Sequence, residues 1–220
     1  QLNSKIVAVG WGYNSDGQLG IGNTNNIGDE TSEMGDSLIF ANLGYSKTPV
    51  QIVTGNKHTA CILNNGSVKC WGDNSSGQLG YGDTTDKTSP DSSSINLGTG
   101  RTAIQLSAGE LHTCAILDDG SVKCWGEAQY GQLGYGNTTD KTSPDSSSID
   151  LGTGRTATQI TCGSNHTCVI LDDGTVKCWG YNNSGQLGLG DTNNRGDGSS
   201  EMGDNLPIVD LGTGRTAVQI

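Results

Sequence analysis

The sequence predicts an all-β chain of propeller-type blades, about four units of four short antiparallel strands each. Three observations predict it. A stretch running from a His to a Trp-Gly pair recurs at 58–72, 112–126 and 166–180, and a truncated copy opens the chain at 5–12. Each Trp-Gly is followed at a constant distance by Gly-Gln-Leu-Gly, at 17–20, 77–80, 131–134 and 185–188. Gly makes up 35 of 220 residues without a collagen-like period, which suits many tight turns between short strands.

Within a unit, the first strand is a short apolar run, Thr48-Pro-Val-Gln-Ile52, which returns at 102–106, 156–160 and 216–220. The next two strands flank Asn-Gly or Asp-Gly, the strongest short-range hairpin signal. They run from His58, His112 and His166 to the Trp-Gly pairs. Gly-Gln-Leu-Gly is read as the fourth strand. A single unit cannot bury both faces of its sheet, so neighbours must stack. Trp11, Trp71, Trp125 and Trp179, spaced 60, 54 and 54 apart, are read as the packing anchors between blades.

The connectors come in two kinds. From Trp to the end of the following strand is 41 residues in the first and fourth units and 35 in the second and third. The long kind carries Glu33-Met-Gly-Asp36 or Glu201-Met-Gly-Asp204, and the short kind repeats one polar segment at 86–94 and 140–148. We read a single repeat domain, 1–220, with units 1–52, 53–106, 107–160 and 161–220. The long-short-short-long order predicts a 168-residue super-repeat, of which this chain would be a fragment.

Net charge is −11, and the 12 Lys and Arg are scattered singly. No basic stripe exists to neutralise phosphates, which argues against nucleic-acid binding and equally against an anionic membrane surface. No apolar run is long enough to span a bilayer, and no signal peptide is visible at Gln1. The acidity is read as a means of keeping a glycine-rich surface soluble.

The pattern Gly-x-x-His-Thr-x-x-Ile-Leu-x-x-Gly-x-Val-x-x-Trp-Gly, followed by Gly-Gln-Leu-Gly-x-Gly, resembles the repeat of the regulator of chromosome condensation family. The resemblance covers essentially the whole chain in four registers. It implies a β-propeller, which in that family usually has seven blades. Four units would then be a fragment, a share of several chains, or an open array. Family members include guanine-nucleotide exchange factors that bind chromatin, secreted β-lactamase inhibitors and extracellular repeat proteins, and the fold does not choose among them. The acidic charge and the cysteines point away from the nuclear member and towards the secreted type.

Seven cysteines are present. A hairpin that sets Leu117 opposite Ser121 also sets Cys114 opposite Cys124, and the same register sets Cys168 opposite Cys178. Both pairs are expected to form disulfides, and with them an oxidising, extracellular or cell-surface location. In the first full unit Ala60 stands opposite Cys70. Cys61, Cys70 and Cys162 are thus left over, either as links between blades or chains or as small buried hydrophobes. No pair has zinc-knuckle spacing, so no metal site is assigned.

His58, His112 and His166 occupy one repeat slot each and are read as partly buried residues bonded to backbone, not as catalysts. Asp118/Asp119 and Asp172/Asp173 read as turn residues. No nucleophile–base–orienter set and no phosphate-binding loop stand out from the repeat. The acidic connectors (Asp29, Glu30, Glu33 and Asp36; Asp191, Asp197, Glu201 and Asp204) are read as solvated loops, with calcium the one cofactor their oxygens suit. Arg195-Gly-Asp197 is taken as an accidental match to an integrin-recognition tripeptide. Asn65, Asn74, Asn137 and Asn182 each begin a glycosylation acceptor, while Asn165 abuts a strand.

Two functions follow as expectations. The first is a non-enzymatic extracellular structural or adhesive repeat protein that self-associates or forms filaments. The alternative is a protein-binding propeller module that inhibits or docks a partner. Its face would then carry aromatics, with Ile21, Tyr81, Tyr135 and Leu189, or Tyr13, Tyr130 and Tyr181, as the candidate rings.

Overall fold

A computed structural model describes residues 6–220; Lys5, the first residue of the truncated repeat copy, lies outside the described residues. Three antiparallel meanders follow one another along the chain. They are β3 (Pro49–Thr54), β4 (His58–Leu63) and β5 (Val68–Gly72); β6 (Ala103–Ala108), β7 (His112–Leu117) and β8 (Val122–Gly126); and β9 (Ala157–Cys162), β10 (His166–Leu171) and β11 (Val176–Gly180). Before them, β1 (Ala8–Val9) pairs with β2 (Phe40–Ala41).

Turn chemistry sets each hairpin. Leu117 N donates to Ser121 O at 2.9 Å, and Gly120 takes the left-handed position with φ 77° that closes a three-residue loop. Asp119 Oδ1 accepts from both Ser121 N and Ser121 Oγ, so this Asp is a turn residue. The register that follows places Cys114 against Cys124 and Cys168 against Cys178.

Gly-Gln-Leu-Gly is not a strand. It forms two consecutive turns, with Gly77 N bonded to Asn74 O and Gly80 N to Gly77 O. Gly77 and Gly80 sit at φ 79° and 80°, a left-handed geometry that cannot continue a pleat. The outer edge of each sheet is met instead by the connector. Ala41 pairs with Ala8 in β1–β2, while Ile95 N bonds Val68 O, Ile149 N bonds Val122 O and Val209 N bonds Val176 O, all within 3.0 Å. Lys123 Nζ anchors the same connector to Asp145 O at 2.7 Å. Residues 216–220, expected as a strand, make no ladder among the described residues.

The cores lie between blades. Ala60, Ile62, Val68, Cys70 and Leu79 of one unit pack against Ala103, Leu106, Ala115, Leu117 and Trp125 of the next. Trp71, Trp125 and Trp179 are buried, each indole N–H donating at 3.0 Å to the Gln carbonyl of the preceding Gly-Gln-Leu-Gly turn. Gly80 is required there, because a Cβ would stand 2.7 Å from Trp125 Nε1. Trp11 is 61% exposed, a correction to its reading as an anchor: in this sequence no Gly-Gln-Leu-Gly turn precedes it to accept its indole N–H.

Two side-chain relays tie one blade to the next. Thr113 Oγ1 donates to Gln78 O, and so accepts from His58 Nε2 at 2.9 Å; Thr167 stands in the same relation to Gln132 and His112. His58 and His112 are thus fully buried and bonded to the next blade's threonine, not to backbone as expected. Gln51 clamps Leu106, and Gln105 clamps Ile160, each through both backbone N–H and C=O. The histidine ring needs a glycine beside it. A Cβ on Gly109 would meet His112 Cε1 at 2.1 Å and Gly163 O at 2.6 Å. Gly109→Ala is expected to destabilise the fold by about 1–3 kcal/mol, the cost of overpacking, measured as a lower urea midpoint. Gly100→Ala would meet nothing within 4 Å, but its φ of 73° disfavours a side chain; it isolates backbone strain from collision.

Candidate binding face

The two ends of the sheets differ in kind. At one end lie the hairpin turns, where Arg101 meets Asp118 and Asp119 at 3.2 and 2.8 Å, and Arg155 meets Asp172 and Asp173 at 3.3 and 2.9 Å. Two blades repeat the same chemistry there. At the other end lie the loops 55–57, 109–111 and 163–165, together with the segments after the third strands. Asp73 N bonds Lys57 O, Glu127 N bonds Leu111 O and Tyr181 N bonds Asn165 O, which holds each loop against its neighbouring segment.

A depression of about 450 Å³ opens on this second end, lined by 54–56, 108–110 and 162–164 from three successive blades. Glu110 N bonds Ser164 O, and Ser164 Oγ donates back to Glu110 Oε2 at 2.5 Å, linking two of the loops. Lys57 pairs with Asp16 at 3.3 Å. Burial, then the nearby Asp140 and Glu110 charges, push the Glu127 carboxyl above its ordinary value. Tyr130 and Tyr181 meet with ring centroids 4.5 Å apart at 49°. This end therefore offers acidic groups, a tyrosine pair and a polar hollow.

The internal repeats single out the same end. Connector residues 84–95 and 138–149 are identical, as are most strand positions of the two units. Yet 73–76 reads Asp-Asn-Ser-Ser where 127–130 reads Glu-Ala-Gln-Tyr, and the loop pairs read Asn-Lys, Glu-Leu and Ser-Asn. Slots used by the scaffold recur, whereas slots at this face diverge.

Two family profiles, both described as Regulator of chromosome condensation (RCC1) repeat, match 50–78, 103–132 and 157–186, and 65–116 and 119–170. The chain belongs to the RCC1-repeat family. It is 33% identical to the ultraviolet-B receptor UVR8 of Arabidopsis thaliana over 188 residues, 86% of this chain and 40% of that protein. It is 32% identical to the probable E3 ubiquitin-protein ligase HERC4 of Mus musculus over 186 residues, 84% of this chain and 17% of that protein. The chain thus spans less than half the length of either relative. Among solved structures it is similar to yeast RCC1 (Prp20) bound to Kap60, with a TM-score of 0.66 and 18% identity over 90% of this chain and 43% of that one. Human WBSCR16 aligns with a TM-score of 0.63 and 24% identity over 76% of this chain and 41% of that one. These two likenesses carry the fold, a set of propeller blades.

In this RCC1-repeat chain the other residues singled out by sequence fall as follows. Cys114–Cys124 and Cys168–Cys178 are bonded, with Cα atoms 4.1 Å apart in both. Cys61 and Cys70 are buried in different cores on opposite faces of their blade, so they are small hydrophobes and not links. Cys162 is half-buried at the rim of the depression. Asn74 and Asn182 are fully buried: Asn74 Oδ1 accepts from Leu79 N and its amide donates to Asp83 O, which leaves no acceptor for a glycan. Asn65 and Asn137 lie at turns, where Asn65 Oδ1 holds Ser67 and Asn137 Nδ2 donates to Tyr135 O.

The acidic connectors do not converge on a cation site among the described residues. Glu33 accepts from Gly28 N and Glu30 N, Glu201 from Gly198 N and Asp204 from Thr153 N, so backbone amides take the oxygens expected for calcium. Arg195 is held by Asp191 at 2.6 Å and is not presented with Asp197 as a recognition pair. Tyr81 is no surface anchor either, since its hydroxyl bonds both Cys70 N and Cys70 O. Sequence reasoning missed the loops 55–57, 109–111 and 163–165; the signal available was their divergence inside otherwise matching repeats.

Proposed function

We propose that this chain is a protein-binding segment of a propeller, which docks a partner on the end carrying loops 55–57, 109–111 and 163–165. The observation that carries the reading is divergence of the second and third units at that end, against the identity of their connectors 84–95 and 138–149 and of most of their strand positions. A scaffold under one packing constraint keeps His, Thr and Trp in each of the three full hairpins, and a Gln in the strand before each. The same repeats vary where the blade does not need the side chain and a partner can read it.

The relatives support this reading over a structural or adhesive one. They are named as a receptor and a ligase, and the yeast propeller is described with Kap60, Gsp1p and histones. The chemistry of the end suits a partner with basic and aromatic groups, because Glu110 lines the depression, Glu127 lies near it, and Tyr130 meets Tyr181 on the adjoining segments. The test is a comparison of co-purifying proteins for three baits: wild type, Glu110→Arg with Tyr181→Ala, and Asp119→Asn at the opposite end. A partner lost only with the first variant supports the reading. Partners unaffected by it, or lost only with Asp119→Asn, would sink it.

A further inference from the structure

At the interface between the β6–β8 and β9–β11 blades, His112, Cys114 and Cys162 each offer one ligand atom, and these atoms lie within 4.8 Å of one another. His112 and Cys114 are fully buried, and Cys162 reaches the rim of the depression. Thr167 Oγ1 stands among them, 3.1 Å from His112 Nε2, 3.8 Å from Cys114 Sγ and 4.0 Å from Cys162 Sγ. The ring has a nitrogen to spare, for His112 Nδ1 has no hydrogen-bond partner.

The preceding interface shows what the fold itself requires. There the same three slots hold His58, Ala60 and Ala108. Alanine therefore satisfies the packing at both cysteine positions. The two changes to cysteine come from different strands of different blades, yet they meet beside one imidazole.

We propose that His112, Cys114 and Cys162 form a zinc site that assembles when the Cys114–Cys124 disulfide is reduced. Two thiolates and an imidazole are the donor set zinc favours, in a tetrahedral arrangement with Zn–S about 2.3 Å and Zn–N about 2.0 Å. Cys124, bonded to Cys114 Sγ in the oxidised chain, is released as a free thiol when the bridge opens, and water fills the fourth position of the three-residue set. A dithiol or phosphine reductant supplies two electrons, and two protons convert the bridge to two thiols. Zinc then displaces the protons of Cys114 and Cys162, while His112 binds as the neutral ring. The bridge and the metal thus compete for Cys114, and the redox state of the surroundings selects between them.

The experiment titrates Co(II), as a spectroscopic stand-in for zinc, into the whole chain under anaerobic conditions, with and without a phosphine reductant. The reduced protein is expected to bind one equivalent with thiolate-to-cobalt charge-transfer absorption and tetrahedral d–d bands, displaced by Zn(II). The oxidised protein should show neither. Cys162→Ala copies the Ala108 slot, so its fold is expected to hold, checked by its circular dichroism. It should weaken binding by more than the roughly 10–100-fold that loss of a supporting residue costs. Cys61→Ala and Cys70→Ala should leave the signal unchanged. No charge-transfer band in the reduced wild type, or a band that Cys162→Ala retains, overturns the proposal.

Discussion

Trp125→Ala is expected to cost about 3–5 kcal/mol in urea unfolding, the range for removing a large buried aromatic. Trp125 is fully buried, and its side chain fills the seam between two blades against Leu79, Leu106 and Leu117. The blades cannot close over the space, because each sheet is held at its own spacing by the Gln51 and Gln105 clamps. Trp125→Phe keeps most of the bulk and loses the bond to Gln78 O, a change of about 1 kcal/mol. The carbonyl is not orphaned, since Thr113 Oγ1 still donates to it. Trp11→Ala is the contrast: at 61% exposure it should shift stability by no more than about 0.5 kcal/mol. Equal losses for Trp11 and Trp125 would mean that inter-blade burial is not what stabilises the array.

The second large effect is acid sensitivity. Burial lowers the His58 imidazole to about 4 and the His112 imidazole to about 3, from an ordinary value of 6.5. In the unfolded chain both rings take up a proton as pH falls through 6.5, whereas in the folded chain they stay neutral. Stability is therefore flat above about pH 7 and falls between 6.5 and 4, where the unfolded state binds more protons. At about 1.4 kcal/mol per unit, each ring accounts for roughly 3 kcal/mol of that loss, and His112 goes on contributing below pH 4. His166 contributes in the same direction from a half-buried position.

The carboxylates act lower on the scale. Hydrogen bonds hold Asp83, Asp119 and Asp191 below 3.8, so their contribution is present above that value and lost beneath it. Unfolding free energies measured from pH 8 to pH 4 should show a slope that begins near 6.5. A profile flat to pH 4.5 would mean that the buried rings find a proton acceptor. Both rings offer only Nδ1 for the incoming proton, and neither Nδ1 has an acceptor beside it.

The hairpins were legible because their information is local. An Asp-Gly turn with a left-handed glycine sets the pairing, and the period of two then says which side chains oppose, as with Cys114 and Cys124. The blade class was legible because near-identical units can bury their faces only by stacking. Local glycine geometry also explains why the expected fourth strand is a turn: Gly-Gln-Leu-Gly carries apolar Leu79, but Gly77 and Gly80 turn the chain on either side of it. The same fold draws Asn74 and Asn182 into the turn as buried organisers, although their motif reads as a surface acceptor.

By itself, then, the sequence determined the repeat and the hairpin register, since each rests on contacts within one unit, and that the units must stack, since a unit alone cannot bury both faces of its sheet. Tertiary structure alone decided what happens between units. His58 reaches Thr113 across 55 residues, Gln51 reaches Leu106 across 55, and Cys162 arrives beside His112 and Cys114. No spacing rule encodes such meetings, because they depend on the rotation of one blade against the next. The binding face belongs with them: three loops far apart in sequence become one surface only when the blades set their inner strands side by side.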